Sequence, residues 1–365
     1  MRMVRLFFSA AILVCVVCVC PPLSINISSA QVQASKLVRL GEMLYFDKRL
    51  SADGTVSCAI CHDPAAAFAS KDTVAIGVRS QIGTRNVPTI LNAKFGETFF
   101  WDGRVRTLEE QAKQPLLNVS EMGLENEAVL VNRLSCIAEY QKQFRRVFPS
   151  EGITLETVAK AIAAYERTLI SNNSPFDRFI KGDQNAITEN QKAGWLLFKG
   201  KAKCIECHTF SASARLFTDF KFYNTGIALR DEDFEKLTQL IEATKNFDTS
   251  SLAHQPEFSA LGRFLVTNEK KDMGAFKTPT LRDVELTGPY MHNGSLRTLL
   301  DVVRSYNEGG QKNPNLNNKI HPLDLNENEI NQLVEFLRSL TSDDVLRQVQ
   351  TSKPQTRAAV VVAPE

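Results

Sequence analysis

The chain contains the pattern Cys-x-x-Cys-His twice, as Cys58-Ala-Ile-Cys61-His62 and as Cys204-Ile-Glu-Cys207-His208. On one helical turn, the two thiols and the imidazole fall at i, i+3 and i+4, so all three project to one side. This is the attachment pattern of c-type haem, whose vinyl groups bind the thiols and whose iron takes the histidine as ligand. A zinc site would need a second Cys or His pair near each motif, and a redox Cys-x-x-Cys needs no trailing His. The sequence therefore predicts two covalently bound c-type haems.

The N-terminus has the composition of an export signal. Arg2 and Arg5 precede an apolar run from Leu6 to Val19, and Ser28-Ser29-Ala30 offers small residues for a signal peptidase. The run holds about 14 residues, fewer than the roughly 20 of a membrane-spanning helix. We therefore expect residues 1–30 to be a signal peptide, the mature protein to be periplasmic, and no membrane span to remain after cleavage. The alternatives are an uncleaved anchor and a lipoprotein cleavage at Cys15, Cys18 or Cys20.

Charge and cysteine usage narrow the class of protein. The chain has 43 Lys and Arg against 41 Asp and Glu, and loss of Arg2 and Arg5 with the leader makes it neutral. No basic tract indicates nucleic acid as a partner. Of the 8 Cys, three lie in the leader and four in the haem motifs, so Cys136 has no partner for an internal disulfide. We expect Cys136 to be a buried thiol on an amphipathic helix.

Helical periodicity dominates the rest of the sequence. Apolar residues recur at helical spacing from Leu155 to Leu169 and from Ile330 to Leu340, with Asn326 and Glu329 as a capping pair for the second segment. A further helix from Thr188 to Phe198 leads into the second motif. Few stretches alternate with period two, so an all-α fold is predicted.

Length and motif spacing indicate two domains. We predict two cytochrome c-like domains, residues 31–180 and residues 181–340, each organised around one covalently attached haem. The final segment, residues 341–365, is expected to be a loose C-terminal tail.

The face of each iron opposite the motif histidine decides what that haem can do. A haem with ligands on both faces mainly transfers electrons, whereas one with an open face can bind peroxide or dioxygen. Outside the motifs the histidines are His254, His292 and His321, and none lies between His62 and Trp101, where a short loop could cover the first haem. We therefore expect an open face on the first haem, unless a residue distant in sequence closes it.

Several further segments occur in a recognisable order. Besides the haem motifs, they are Leu40-Gly-Glu-Met-Leu-Tyr-Phe-Asp-Lys-Arg-Leu-Ser51, Arg85-Asn-Val-Pro-Thr89, Phe100-Trp-Asp-Gly-Arg104, Gln111-Ala-Lys-Gln-Pro-Leu116 with Glu121-Met-Gly123, Phe276-Lys-Thr-Pro-Thr-Leu-Arg282 and Thr287-Gly-Pro-Tyr-Met-His-Asn-Gly294. With them the chain resembles the bacterial dihaem cytochrome c peroxidase family, and most closely its MauG-type branch. The resemblance extends over nearly the whole mature sequence.

The resemblance implies that the first haem reacts with peroxide. Cys58, Cys61 and His62 match the peroxide-reactive haem of the family. Most members close that iron with a second His, which leaves when the other haem is reduced. Val78 stands at its position here, so the pocket is expected to be open without reduction, as in the MauG-type branch.

The resemblance also implies catalytic residues. Gln111, Pro115 and Glu121 match the pocket over the first haem, and Trp101 matches the tryptophan between the two haems. In that role Gln111 orients the peroxide. Glu121 takes the proton from the bound oxygen and delivers it to the departing one.

The second haem is matched by Cys204, Cys207 and His208, and its far ligand is an open question. Family members take a Met, or in the MauG-type branch a Tyr, at the position of Tyr306. A phenolate favours ferric iron. The alternative is that Tyr306 is a core residue and that Met273 or Met291 ligates the iron.

A calcium ion and an oligomer are further implications of the resemblance. Asn86, Thr287 and Pro289 match calcium ligands between the domains, where oxygen donors suit a hard cation. Many relatives are homodimers, although this sequence carries no interface signature.

Three functions remain open from the sequence. A cytochrome c peroxidase would reduce hydrogen peroxide to water with electrons from a small periplasmic cytochrome c or copper protein. A MauG-like enzyme would instead oxidise a Trp or Tyr of a protein substrate. A dihaem electron carrier or redox sensor would need no acid–base residue such as Glu121.

Two features bear on the choice between the enzymes. Tyr306 and the missing histidine favour the MauG-like function. Against it, the MauG protein that matures a tryptophan-derived cofactor has a Trp two residues before its second haem motif. Ala202 occupies that position here, and Trp195 is the nearest tryptophan in sequence. We therefore do not expect methylamine dehydrogenase to be the substrate.

Overall fold

The computed structural model of the chain describes residues 29–210, 216–227, 236–237, 239 and 252–355. All but the last two residues of the predicted signal peptide lie outside this description. Within it, no helix combines the length and the apolar character needed to cross a bilayer.

Helices and one small sheet make up the secondary structure of the described residues. The α-helices are α1 (Ser29–Phe46), α2 (Cys58–Cys61), α3 (Leu108–Leu117), α4 (Glu127–Ser135), α5 (Ala138–Val147), α6 (Leu155–Glu166), α7 (Pro175–Ile180), α8 (Glu189–Lys199), α9 (Pro256–Ser259), α10 (Phe264–Thr267), α11 (Leu299–Glu308), α12 (Glu327–Arg338) and α13 (Asp343–Thr351). Single 3-10 turns lie at Lys48–Leu50, Pro64–Ala66, Val78–Ser80, Ala93–Phe95, Cys204–Glu206, Lys270–Asp272 and Val284–Leu286. The strands β1 (Phe222–Tyr223) and β2 (Phe276–Lys277) pair antiparallel. The predominance of helix predicted from the sequence is confirmed.

The core of the N-terminal half (residues 29–180) forms where α1 packs on α6. Thr154 begins α6 with a capping box to Thr157, and most of the helix is buried. Gly41 of α1 lies so close to α6 that a Cβ atom there would be 1.8 Å from the Ala161 carbonyl oxygen. Helix α3 also packs on α6, which fixes the helix that carries Gln111 and Pro115.

The core of the C-terminal half (residues 181–355) forms where α8 packs on α12. Capping boxes at Thr188 and Asn326 begin these helices, which confirms the predicted helix before the second motif and the predicted capping pair. The periodic segment in the other half ends at Glu166, before the expected Leu169. Aromatic rings fill the space beside α8 and α12, from Phe176, Trp195, Phe198, Phe217 and Phe336.

Hydrogen bonds join the two halves at several places. The Thr84 hydroxyl donates to the Ala253 carbonyl oxygen at 3.0 Å. The Lys277 amide donates to the Trp101 carbonyl oxygen at 2.8 Å. The domain boundary near residue 180 stays a prediction, but the two halves do not pack as independent units.

The expectation of a loose tail from residue 341 is wrong for its first part. Asp343–Thr351 form α13, and Val345 is buried against Tyr45 and Tyr165 of the N-terminal half. The Ser342 amide donates to the Asp283 carboxylate at 2.8 Å, which holds the start of this helix. The reason lies in Val345 and Val349, whose i, i+4 spacing supplies an apolar stripe that the prediction overlooked.

The expectation of a buried thiol at Cys136 is also wrong. Cys136 is exposed at the C-terminal end of α4. Leu130 and Leu134 occupy the buried face of that helix, and a residue two positions after Leu134 points away from it.

Substitution of Gly41 by Ala tests the contact between α1 and α6. Although Ala favours helix over Gly, the added methyl would overlap the Ala161 carbonyl, so the helices must move apart. We expect G41A to lower the free energy of unfolding by about 1–3 kcal/mol, measured by chemical denaturation. The control is E42A at the exposed neighbouring position, which should change little. Equal stability of G41A and the wild type would contradict the close approach.

Candidate functional site

A cavity of about 480 Å³ lies between the two motifs. Its walls come from both halves of the chain. They include all of the residues predicted for the site: Cys58, Cys61, His62, Asn86, Trp101, Gln111, Pro115, Glu121, Cys204, Cys207, His208, Thr287, Pro289 and Tyr306. These residues are spread over more than 240 positions of the sequence, and the fold brings them to one cavity.

The first motif presents a neutral imidazole to the cavity. Cys58–Cys61 form one helical turn, and the His62 amide donates to the Cys58 carbonyl oxygen at 2.8 Å. The Nδ1 atom of His62 lies 3.0 Å from the Pro88 carbonyl oxygen, so it carries the proton and leaves the Nε2 lone pair free for a metal ion. Burial lowers the pKa of His62 to about 4, which keeps the ring neutral and able to ligate.

The second motif repeats this arrangement on a 3-10 turn. The Nδ1 atom of His208 lies 2.8 Å from the Phe217 carbonyl oxygen, which again leaves Nε2 as the free ligand atom. Burial lowers the pKa of His208 as well. The residues of both motifs therefore fit an iron porphyrin, with a thiol pair and an oriented imidazole at each site.

Polar residues from α3 and from the turn after it lie in the wall beside the first motif. Gln111 and Pro115 are on α3. The turn after α3 brings Glu121 to the cavity, because the backbone amide of Glu121 donates to the Asn118 carbonyl oxygen at 3.0 Å. Burial raises the pKa of Glu121, and the Arg104 guanidinium partly opposes that effect. A carboxyl group with a raised pKa can both accept and donate a proton in a reaction.

Val78 stands where the resemblance in the sequence leads us to expect a histidine in classical members of the family. Its side chain is fully buried in the core of the N-terminal half. Its amide donates to the Glu121 carbonyl oxygen at 2.8 Å. Gly77 permits this approach, since a Cβ there would lie 2.0 Å from the Ser120 carbonyl oxygen. This segment therefore supports Glu121.

Sequence reasoning missed His254 as a neighbour of Glu121. His254 belongs to the C-terminal half, lines the cavity, and places Nδ1 3.8 Å from Glu121 Oε1. Its Nε2 lies 2.8 Å from the Asn118 side-chain amide. No local motif could reveal this contact. The one signal was that His254 was among the histidines outside the motifs.

Asp102 anchors the charges behind this wall. It is fully buried and paired with Arg85 at 2.6 Å and with Arg104 at 3.0 Å. Burial raises the pKa of Asp102, but the two guanidinium groups outweigh burial and hold it below its usual value. Arg104 also donates to the Gln114 side-chain oxygen at 2.9 Å, so its position beside Glu121 is fixed.

Trp101 and His292 line the same cavity as the two motifs. The Trp101 indole donates to the Asn86 carbonyl oxygen at 2.8 Å, and its ring meets that of His292 edge-on with centroids 6.5 Å apart. His292 in turn stacks on Phe276 at 3.6 Å. Burial, with a contribution from Arg85, lowers the pKa of His292 to about 3. The three rings thus form an uncharged layer in the cavity wall.

The residues expected to hold calcium lie in the same wall. The side-chain nitrogen of Asn86 donates to the carbonyl oxygens of Asp72 and Thr73 at 3.4 and 3.2 Å, which leaves its Oδ1 as a donor for a cation. The part of the chain that the structure describes holds no group of three or more His, Cys, Asp or Glu suited to a metal ion. A cation there would therefore rely on amide and carbonyl oxygens, which fits calcium.

The structure narrows the candidates for the far ligand of the second motif. Tyr306, on α11, lines the cavity, and burial together with the nearby Cys204 and Cys207 raises its pKa. Met291 also lines the cavity. Met273 is buried in a separate apolar cluster around Leu261 and Phe264. Position therefore favours Tyr306 and Met291 over Met273.

Comparisons with known proteins agree with this site. A sequence profile described as di-haem cytochrome c peroxidase matches residues 35–185. Cytochrome-c peroxidase IdrP2 of Denitromonas iodatirespirans is 35% identical over 84% of this chain and 82% of its own length. Methylamine utilization protein MauG of Methylorubrum extorquens is 36% identical over 84% of this chain and 78% of its own length. The crystal structure of a MauG-like protein associated with microbial copper homeostasis superposes with a TM-score of 0.71 at 32% identity, over 85% of this chain and 91% of that one.

Fold and site define a helical haem-binding oxidoreductase. The chain belongs to the di-haem cytochrome c peroxidase family, to which the MauG proteins also belong. The resemblance seen in the sequence is thereby confirmed, and the chain is an enzyme of the cytochrome c peroxidase type.

Substitution of Asp102 by Asn tests the charge cluster. Loss of the anion leaves two buried guanidinium groups without a counter-charge, so we expect D102N to lower the free energy of unfolding at pH 7 by about 3 kcal/mol or more. Because the native pKa of Asp102 is lowered, its stabilisation is present above pH of about 4 and is lost as the pH falls through that native pKa. The deficit of D102N should therefore shrink in acid.

Denaturant titrations at neutral and acidic pH measure both effects. The matched control is D344N, because Asp344 pairs with Arg347 at an exposed position and such pairs contribute little. A D102N protein as stable as D344N would contradict the role given to the cluster.

Proposed function

We propose that this chain is a periplasmic peroxidase that reduces hydrogen peroxide at the first haem, with electrons relayed through the second. The observation that carries the proposal is the partly buried carboxyl group of Glu121 in the cavity wall that also holds Gln111, Pro115 and the first motif. A protein that only passes electrons needs no such group.

Each motif would hold one haem through its two thiols. Cys58 and Cys61 would bind the first and Cys204 and Cys207 the second, with His62 and His208 as the iron ligands on their free Nε2 atoms. When bound, the haems supply the peroxide-binding metal and the store of electrons. The cavity between the motifs, lined from both sides, supports this assignment.

Glu121 would manage the protons of the reaction. Its carboxylate takes the proton from one peroxide oxygen and returns it to the other, so that this oxygen leaves as water when the O–O bond breaks. Two electrons and two protons convert one peroxide into two waters. The Gln111 side-chain amide would orient the peroxide by hydrogen bonding. Pro115, on the same helix, would keep this part of the wall free of a backbone donor.

The electrons would come from a small periplasmic cytochrome c or copper protein and enter at the second haem. Trp101 would lie on the route between the haems, because its ring lines the cavity that both motifs share and its indole N–H is fixed. A calcium ion on Asn86, Thr287 and Pro289 would hold this region together. The mature protein would lose residues 1–30 as a signal peptide, and a homodimer is compatible with the family.

A second candidate function is MauG-like oxidation of a Trp or Tyr on a partner protein. Val78 favours it, because a buried valine cannot ligate the first iron. Tyr306 at the second motif favours it as well. Ala202 is buried and offers no aromatic exit. Trp195 packs against Phe217 in the aromatic cluster of the C-terminal half. The carbonyl oxygen of Phe217 in turn holds the His208 ring.

Substitution of Glu121 by Gln tests the acid–base role. Gln cannot take up a proton, so we expect E121Q to slow the reaction with peroxide by about 10²- to 10⁴-fold, measured by stopped-flow absorption, with both haems retained. The control is E125Q, which removes a charge at an exposed position nearby and should react normally.

The same assay separates the candidate functions. Turnover with reduced cytochrome c supports the peroxidase, whereas reaction with peroxide that ignores cytochrome c supports the MauG-like enzyme. Two haems with ligands on both faces and no reaction at all would indicate an electron carrier. An E121Q protein that reacts as fast as E125Q would refute the assigned role.

Substitution of Tyr306 by Phe tests the ligand of the second haem. Removal of the phenol oxygen should change the electron paramagnetic resonance signal of that haem from low spin toward high spin, because one iron ligand is lost. M273L should leave the spectrum unchanged, since Met273 lies in a different cluster. M291L tests whether Met291, the other candidate that lines the cavity, is the ligand instead. A change in M291L with none in Y306F would assign the ligand to Met291.

A further inference from the structure

The segment that carries His254 is pinned to the N-terminal half. Leu252 and Ala253 are buried, and the Ala253 carbonyl oxygen accepts the Thr84 hydroxyl at 3.0 Å. The imidazole of His254 is therefore held in the cavity wall beside Glu121 by contacts on its own backbone.

The partners of the Nε2 atom fix the tautomer of His254. The Asn118 amide is oriented because its Oδ1 accepts the Ser120 N–H at 2.9 Å, so its nitrogen is the atom that faces His254 at 2.8 Å. The second neighbour of Nε2 is an Arg104 nitrogen at 3.4 Å, which is also a donor. An Nε2 atom between two donors must accept. The proton of the neutral ring is therefore on Nδ1.

Charged groups of the described residues lie on both sides of the ring. A proton on Nε2 would face the Asn118 N–H and the positive guanidinium of Arg104. Asp102 lies behind Arg104 and is already shared with Arg85. Among the described residues, Glu121 presents a carboxylate oxygen to Nδ1, at 3.8 Å. This distance is longer than a hydrogen bond, and a side-chain rotation or one bridging water closes it.

We propose that His254 is a positioning residue which directs its Nδ1–H at Glu121 and so stabilises the carboxylate form that accepts the peroxide proton. The inference rests on the proposed function of Glu121. His254 would thereby counteract the burial that favours the protonated carboxyl group.

The test is an infrared pH titration of Glu121 in the ferric two-haem protein without peroxide. The carboxyl band of Glu121 is identified as the one missing in E121Q. H254N keeps an amide nitrogen where Nδ1 lies, H254Q places its amide near Nε2, and H254A removes both. The control is E257Q, which changes the charge of the same segment at an exposed position.

We expect Glu121 to titrate about one pH unit higher in H254A and H254Q, which is a tenfold change in its proton affinity. H254N and E257Q should titrate within about 0.3 units of the wild type, on the same scale. In each variant, the rate of the peroxide reaction should fall in acid at the same pH at which the Glu121 band titrates. If H254A does not fold, H254Q still tests the predicted shift, with H254N as its matched control.

The outcomes test the role of His254 separately from the proposed function of Glu121. If the Glu121 band titrates at the same pH in H254A, H254Q and the wild type, the role of His254 is wrong. A shifted band together with an undiminished peroxide reaction in E121Q would uphold the contact and reject the proposed function of Glu121.

Discussion

The geometry of the site depends on two hydrogen bonds, one made by the Nδ1 atom of each motif histidine to a backbone carbonyl oxygen. The Nδ1 atoms of His62 and His208 face the carbonyl oxygens of Pro88 and Phe217, which lie outside their motifs. A one-turn motif fixes the order of thiols and imidazole along the chain, but it does not fix the ring about its own axis. The distant carbonyl groups do so, and they also select the tautomer whose Nε2 can ligate. Packing of the loops that carry these carbonyls is therefore part of the haem site.

Burial of a carboxyl group without compensation is unfavourable, and the wall around Glu121 shows how the chain compensates. Arg104 supplies positive charge, yet a lone guanidinium in this place would be equally unfavourable. Asp102 supplies the counter-charge and pairs with both Arg104 and Arg85. Arg85 then donates to the Ser259 carbonyl oxygen at 3.0 Å, in the C-terminal half. The electrostatic support of one carboxyl group thus extends from α3 to the other half of the molecule.

The sequence predicted what local spacing can encode. The two Cys-x-x-Cys-His motifs, the helix before the second one and the capping pair of α12 follow from neighbours within a few positions, and the family resemblance located Gln111, Pro115 and Glu121. His254 could not be found in this way, because its contact with Asn118 spans 136 positions. The errors at Cys136 and α13 have a similar origin. Whether a helical face is buried depends on which surface meets it, and Val345 meets Tyr45 from the opposite end of the chain.

The same long-range contacts explain why the two halves work as one unit. The first motif, Glu121 and Gln111 belong to the N-terminal half, but the ring that faces Glu121 and the lysine amide that holds Trp101 come from the C-terminal half. A separate N-terminal half would keep its thiols and His62 and lose the imidazole that lies beside Glu121. The layer of Trp101, His292 and Phe276 would also be incomplete, because two of its three rings come from the other half. The proton transfer proposed for Glu121 and the electron route proposed for Trp101 would therefore both depend on the interface between the halves.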